Sequence, residues 1–152
     1  MANLNDVHYT VIVATTPVQP MPDATQLPHD RHPTIRLIPM PADTNAAGDI
    51  FGGWIMSQVD IAGSIVASRR AKTRVVTVAV NEFLFREPVF VGDIVSCYAE
   101  VIRVGRTSLT VFVEVYAERN VHAELCIKVT QATLTYVALD KHGKPRPVAT
   151  DT

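Results

Sequence analysis

Residues 45–70, NAAGDIFGGWIMSQVDIAGSIVASRR, constrain the fold of this chain more than any other stretch. They read as one long, mostly apolar helix with a Gly-rich lead-in, and the only charge in its interior is Asp60. Ile55, Val59, Ile61, Ile65 and Val66 flank that carboxylate. Burying it among them is costly unless partners or solvent relieve it, so its presence points to a use. The preceding PADTNAAGD is rich in turn formers suited to a helix start. Gly52 and Gly53 then leave the first helical amides bare toward something bound there, or else let Phe51 or Trp54 pack closely.

Upstream of the helix, residues 34–40 (TIRLIPM) alternate partly like a short strand and end at Pro39 and Pro41. Downstream lie four β-rich runs, 75–83, 93–104, 108–118 and 126–139. Their Val, Ile, Thr, Tyr and Phe content and the alternation in LTVFVEVYAE mark half-buried strands. Turn signals separate them at Glu87-Pro88, Gly92-Asp93, Gly105-Arg106 and Arg119-Asn120, and the break at 105–107 is short enough for a hairpin. One strand, one helix and four consecutive strands predict an α+β fold in which an antiparallel sheet wraps the helix. With 152 residues, 47% of them apolar, the chain buries one core and forms one domain, over residues 34–140. Residues 1–33, broken by Pro17, Pro20, Pro22, Pro28 and Pro33, are expected to form a flexible arm with a possible short strand at 9–13. KHGKPRPVATDT, residues 141–152, is expected to be a mobile tail.

Several function classes drop out. A net charge of -1 gives no global basic field for nucleic acid. Cys97 and Cys126 lie in strand-like runs without metal-ligand spacing and are too few for a disulfide framework, so they read as reduced core thiols. His8, His29 and His32 have no carboxylate or cysteine at ligand spacing, and no metal site is expected. No apolar run approaches the roughly 18–20 residues of a membrane span, and the opening MANLND lacks a basic leader. A soluble, cytoplasmic protein is expected.

The segment DTNAAGDIFGGWIMSQVDIAGSIVA, followed by RVVTVAV, VGD and VGRTSLTV, resembles the hotdog-fold acyl-CoA thioesterases, especially the bacterial YciA type. The likeness covers about residues 34–139 and leaves residues 1–33 outside it. It implies hydrolysis of acyl-CoA to a free acid and CoA with no cofactor or metal. It also implies a hotdog homodimer as catalytic unit, commonly built into a hexameric trimer of dimers. By position it makes Asp60 the general base toward water, or the nucleophile of an anhydride route, and the amide of Gly53 or Trp54 the donor to the carbonyl oxygen. A helix start offers bare donors and positive potential where charge develops. Asn45 and Asp49 lie in the matched loop, where they orient water or substrate or simply cap the loop. Gly105, Arg106, Thr107 and Ser108 match the family's CoA-contacting turn, with arginine suited to phosphate. Thr77 and Val78 are expected to touch pantetheine through their backbone, by resemblance alone. Arg69, Arg70, Lys72 and Arg74 either assist with phosphates or are solvated charge, and Phe51, Trp54 and Met56 read as core rather than acyl pocket.

Spacing adds one inference. Asp60 lies seven residues beyond Gly53, roughly 10 Å along one helix, too far for both to serve one carbonyl. Two antiparallel helices from paired subunits bring them together, which predicts two composite sites per dimer. Two other readings compete. A hotdog enoyl-CoA hydratase would need a histidine near the helix start, yet none lies between His32 and His122. A non-enzymatic acyl-CoA sensor would need an output domain, for which residues 1–33 are too short and Pro-rich.

Overall fold

In a computed structural model that describes residues 26–119 and 125–149, the predicted runs become β1 (Ile35–Leu37), α1 (Gly52–Ala71), β2 (Val75–Phe85), β3 (Ile94–Val104), β4 (Ser108–Arg119) and β5 (Leu125–Ala138). All strand pairs are antiparallel, in the order β1-β3-β4-β5-β2. The period-two pattern has a direct outcome. Leu109, Val111, Val113 and Val115 of β4 are fully buried. The last three join Val95 and Cys97 of β3 and Val129 and Leu134 of β5 against Ile55, Val59, Ala62 and Ala67 of α1. Each valine so buried contributes about 1.5–3 kcal/mol relative to exposure.

The helix begins at Gly52 rather than in the mid-forties because residues 45–49 close on themselves. The Asn45 amide donates to the Asp49 carbonyl at 2.7 Å, and Gly48 takes φ +94, a conformation that favours glycine. At its far end Lys72 adopts the left-handed conformation, φ 51, and stops the helix.

The two ends of the chain make contacts that the sequence did not announce. Of the arm predicted over 1–33, residues 1–25, with the strand expected at 9–13, lie outside the described residues. Residues 26–33 run against the face of the sheet away from α1, where Leu27 packs on Tyr98, Tyr116 and Cys126 and Arg31 pairs with Glu114 and Glu100. Residues 141–149, read from sequence as a tail, return to the body. The Arg146 amide donates to the Ala138 carbonyl at 2.8 Å, and buried Val148 packs on Ala71, Leu109 and Ala138. Both cysteines are free and buried, and burial pushes the Cys97 thiol up to about 12.

Strand β2 matters most for the site. It pairs with β5 along one edge only; among the described residues its other edge has no partner. Register shifts between Thr77 and Ala79 and between Val80 and Glu82 make Val78 and Asn81 bulge residues. Val78, Val80 and Phe85 stay exposed along this strand, an arrangement rare for a long edge facing water.

Candidate active site

Asp60 sits midway along α1, half-buried against the start of β2 and the end of β5. The Thr77 hydroxyl donates to its Oδ1 at 2.6 Å. The Tyr136 hydroxyl lies 3.1 Å from the same oxygen and 3.0 Å from the main-chain oxygen of Asp60. The carboxylate therefore meets the cost of burial with two hydroxyl donors; among the described residues it forms no ion pair. Burial, then the charge of Asp60 and the hydrogen bond to it, push the Tyr136 phenol well above its ordinary value, so it stays protonated and remains a donor. Tyr136 reaches this position because residue 63 is glycine: a Cβ there would stand 2.3 Å from the Tyr136 hydroxyl oxygen.

The turn matched to CoA binding lies at this end of the sheet. Thr77 is opposite Tyr136, and Tyr136 is opposite Leu109, one residue from Ser108. Gly105 and Ser108 close the turn through an amide-to-carbonyl bond of 2.8 Å, and a Cβ at 105 would meet Ser108 Oγ at 2.7 Å. The Arg106 side chain is exposed, while its carbonyl accepts from the Val148 amide at 2.9 Å. Arg69, Lys72 and Arg74 are exposed at the end of α1 and just beyond it, and Arg70 donates to the Ala149 carbonyl at 2.9 Å. As a bulge residue, Val78 stands outside the β2–β5 ladder, which leaves its backbone groups available for a ligand or another strand.

The other half of the predicted set lies at the start of α1. Phe51 is the N-cap residue and gives no side-chain cap. The Trp54 amide donates to the Phe51 carbonyl at 3.0 Å, whereas the Gly52 and Gly53 amides find no acceptor among the described residues. Of the two donors the resemblance implied, Gly53 is the one left bare. The two glycines do different things. A Cβ at Gly52 would meet the Phe85 ring at 3.2 Å, but one at Gly53 would meet nothing within 4 Å. A cavity of about 310 Å³ adjoins this end, lined in part by Asn45, Asp49, Gly52, Phe85 and Arg86. Asn45 Oδ1 accepts from the amides of Ala47 (2.9 Å) and Asp49 (3.2 Å), so its side chain caps the loop as well as facing the cavity.

One chain thus gathers the predicted residues into two groups. Asp60, Thr77, Val78 and the 105–108 turn share one end; Gly53, Asn45 and Asp49 share the other. Thr77 touches Asp60 through its side chain, a contact the sequence reading did not include. Tyr136 and Gly63 were missed altogether. Their available signal was a glycine in the interior of a helix, costly unless another group must come close. Phe51 and Met56, read as core, are 55% and 42% exposed, Phe51 just before α1 and Met56 on a side of α1 that the sheet does not cover; Trp54 does pack against the core.

Comparison with known proteins identifies the family. A profile of the thioesterase superfamily matches residues 47–123. An uncharacterized acyl-CoA thioester hydrolase of Buchnera aphidicola is 53% identical over 115 residues, 74% of this chain and 84% of that protein. The acyl-CoA thioester hydrolase YciA of Escherichia coli is 49% identical over 114 residues, 74% of this chain and 86% of its own. Among solved structures, a hexameric hotdog fold thioesterase of Campylobacter jejuni superposes with a TM-score of 0.74 at 48% identity, covering 78% of this chain and 91% of that one. By its sheet wrapped on one helix, its matching profile and these relatives, the chain belongs to the thioesterase superfamily, among the hotdog-fold acyl-CoA thioester hydrolases of the YciA type.

Proposed function

We propose that this protein hydrolyses acyl-CoA thioesters to free acid and CoA in a site completed by two copies of the chain. One copy supplies Asp60, Thr77 and the 105–108 turn, and the other supplies the Gly53 amide. The observation that carries this reading is the separation of the two groups along α1 together with the open edge of β2. Thr77 flanks Asp60 and Phe85 flanks Gly52, at opposite ends of that strand. Antiparallel pairing of two β2 edges about Asn81 sets Thr77 of each copy opposite Phe85 of the other. Asp60 of each copy then faces the Gly53 end of its partner, as isologous symmetry requires.

In this arrangement the bare Gly53 amide donates to the thioester oxygen as negative charge develops there. Acting as base, Asp60 takes a proton from water while the water oxygen bonds to the carbonyl carbon. The C–S bond then breaks and the departing sulfur of CoA takes the proton. Acting as nucleophile, the carboxylate itself bonds to that carbon, expels the CoA thiolate, and water then opens the anhydride. Neither route needs a cofactor or metal. Arg106 serves the CoA phosphates, Val78 the pantetheine arm, and Asn45 and Asp49 order water at the helix start. The dimers assemble further as a trimer of dimers, in the cytoplasm.

Release of free thiol from acyl-CoA, followed across chain lengths from acetyl to palmitoyl, tests the activity. Binding without thiol release would make the protein a sensor, and hydration of an enoyl-CoA would make it a hydratase. Mixing Asp60→Ala chains with Gly53→Pro chains tests the shared site. Random pairing leaves half the dimers mixed with one intact site each, so roughly a quarter of wild-type activity returns. No recovery despite demonstrated mixed dimers would refute a site built by two copies.

A further inference from the structure

We propose that Tyr136 is a positioning residue for Asp60: its hydroxyl and that of Thr77 fix the carboxylate by one oxygen and leave the other, Oδ2, to face the reaction. This rests on Asp60 being the reactive carboxylate. Both hydroxyls converge on Oδ1, one from β2 and one from β5, while Oδ2 receives no donor among the described residues. The terminal torsion of an aspartate is broad and roughly two-fold, so a carboxylate held by a single donor turns easily; two donors from separate strands on one oxygen remove that freedom. Carboxylate and carbonyl oxygens only accept, so the fully buried Tyr136 hydroxyl is the donor, and its one proton is shared between Oδ1 and the main-chain oxygen of Asp60.

The helix is shaped to admit that hydroxyl. Gly63 lies one turn beyond Asp60, in a helix interior where glycine is less stable than alanine. A Cβ there would stand 2.3 Å from the hydroxyl oxygen and 3.0 Å from the ring carbon that bears it. The closest obstacle is thus the oxygen, the atom a phenylalanine would lack. The groups that bond the carboxylate are Thr77 from β2 and Tyr136 from β5, and no lysine, arginine or histidine among the described residues pairs with it.

Tyr136→Phe, compared with Asp60→Asn, tests the assignment by steady-state hydrolysis of one acyl-CoA, with kcat and KM determined separately. With Tyr136→Phe, kcat falls about fivefold, the factor carried by one hydrogen bond of about 1 kcal/mol, and KM stays within about twofold. Denaturant titration of the full-length variant reads its stability independently of turnover. Gly63→Ala reproduces the kcat loss in the wild-type background and costs less on top of Tyr136→Phe. Wild-type kcat, or a loss of stability with kcat unchanged, or a KM that rises as much as kcat falls, overturns the positioning role while Asp60→Asn stays inactive. Full activity of Asp60→Asn removes instead the reading on which the role rests.

Discussion

Thr77 and Asp60 meet through a 2.6 Å hydrogen bond that ties the start of β2 to the middle of the central helix. The bond explains how a carboxylate persists in an otherwise apolar helix, and it makes the consequence of neutralising that carboxylate specific. Asp60→Asn keeps the shape and an acceptor oxygen for the Thr77 and Tyr136 hydroxyls, so the fold is retained while hydrolysis drops by about 10²–10⁴-fold. Circular dichroism together with thiol release checks this; unchanged turnover would remove Asp60 from the chemistry.

Gly53 allows the second half of the site to be tested without a cavity or clash. It is the second residue of α1, in the first turn, where proline is tolerated and removes only the amide hydrogen. Gly52 before it lacks the Cβ that would clash most with the ring. Gly53→Pro is expected to fold and to lower kcat about 10²–10³-fold, as loss of one oxyanion donor does. Near-wild-type kcat would reassign the donor.

The fold was legible because its signals are local. Alternation in LTVFVEVYAE, the Gly105 turn and the apolar run after Gly53 each dictate structure within a few residues. Asp60 was legible for the same reason, as a single charge in an apolar helix. Tyr136 was not, because LTYVAL reads as ordinary strand, and its bond joins residues 76 apart in sequence. Phe51 and Met56 were misread as core because apolarity predicts burial without saying whether the cover comes from the same chain.

The outer face of the sheet carries a pH-dependent stability term. Burial alone would raise the Glu114 carboxyl, but hydrogen bonds and charge from Lys128 and Arg31 outweigh it and hold the group below its ordinary 4.5. A carboxyl lowered on folding stabilises the protein above its unfolded value, and that contribution fades as pH falls through the folded value. Glu114→Gln should therefore cost about 2 kcal/mol at neutral pH and progressively less in acid. Denaturant titration at neutral and acidic pH checks the sign; a cost that grows on acidification would contradict it.

The returning C-terminal segment braces the turn proposed to hold CoA. Val148 is buried on Ala71, Leu109 and Ala138, and its amide donates to the Arg106 carbonyl at 2.9 Å. Val148→Asp places a charge in that apolar seat and frees the segment. The KM for acyl-CoA should rise roughly three- to tenfold with kcat little changed, the mark of lost uniform binding. Steady-state kinetics checks this, and a loss confined to kcat would place the effect elsewhere.

On the proposed two-copy site, the unclaimed margin of β2 ties catalytic competence to protein concentration. A solitary copy bares Val78 and Val80 to water, and on the proposed pairing it holds only one half of each reaction centre. On progressive dilution, activity and resistance to unfolding should vanish together, at the concentration where the copies part, and adding back concentrated protein should restore both.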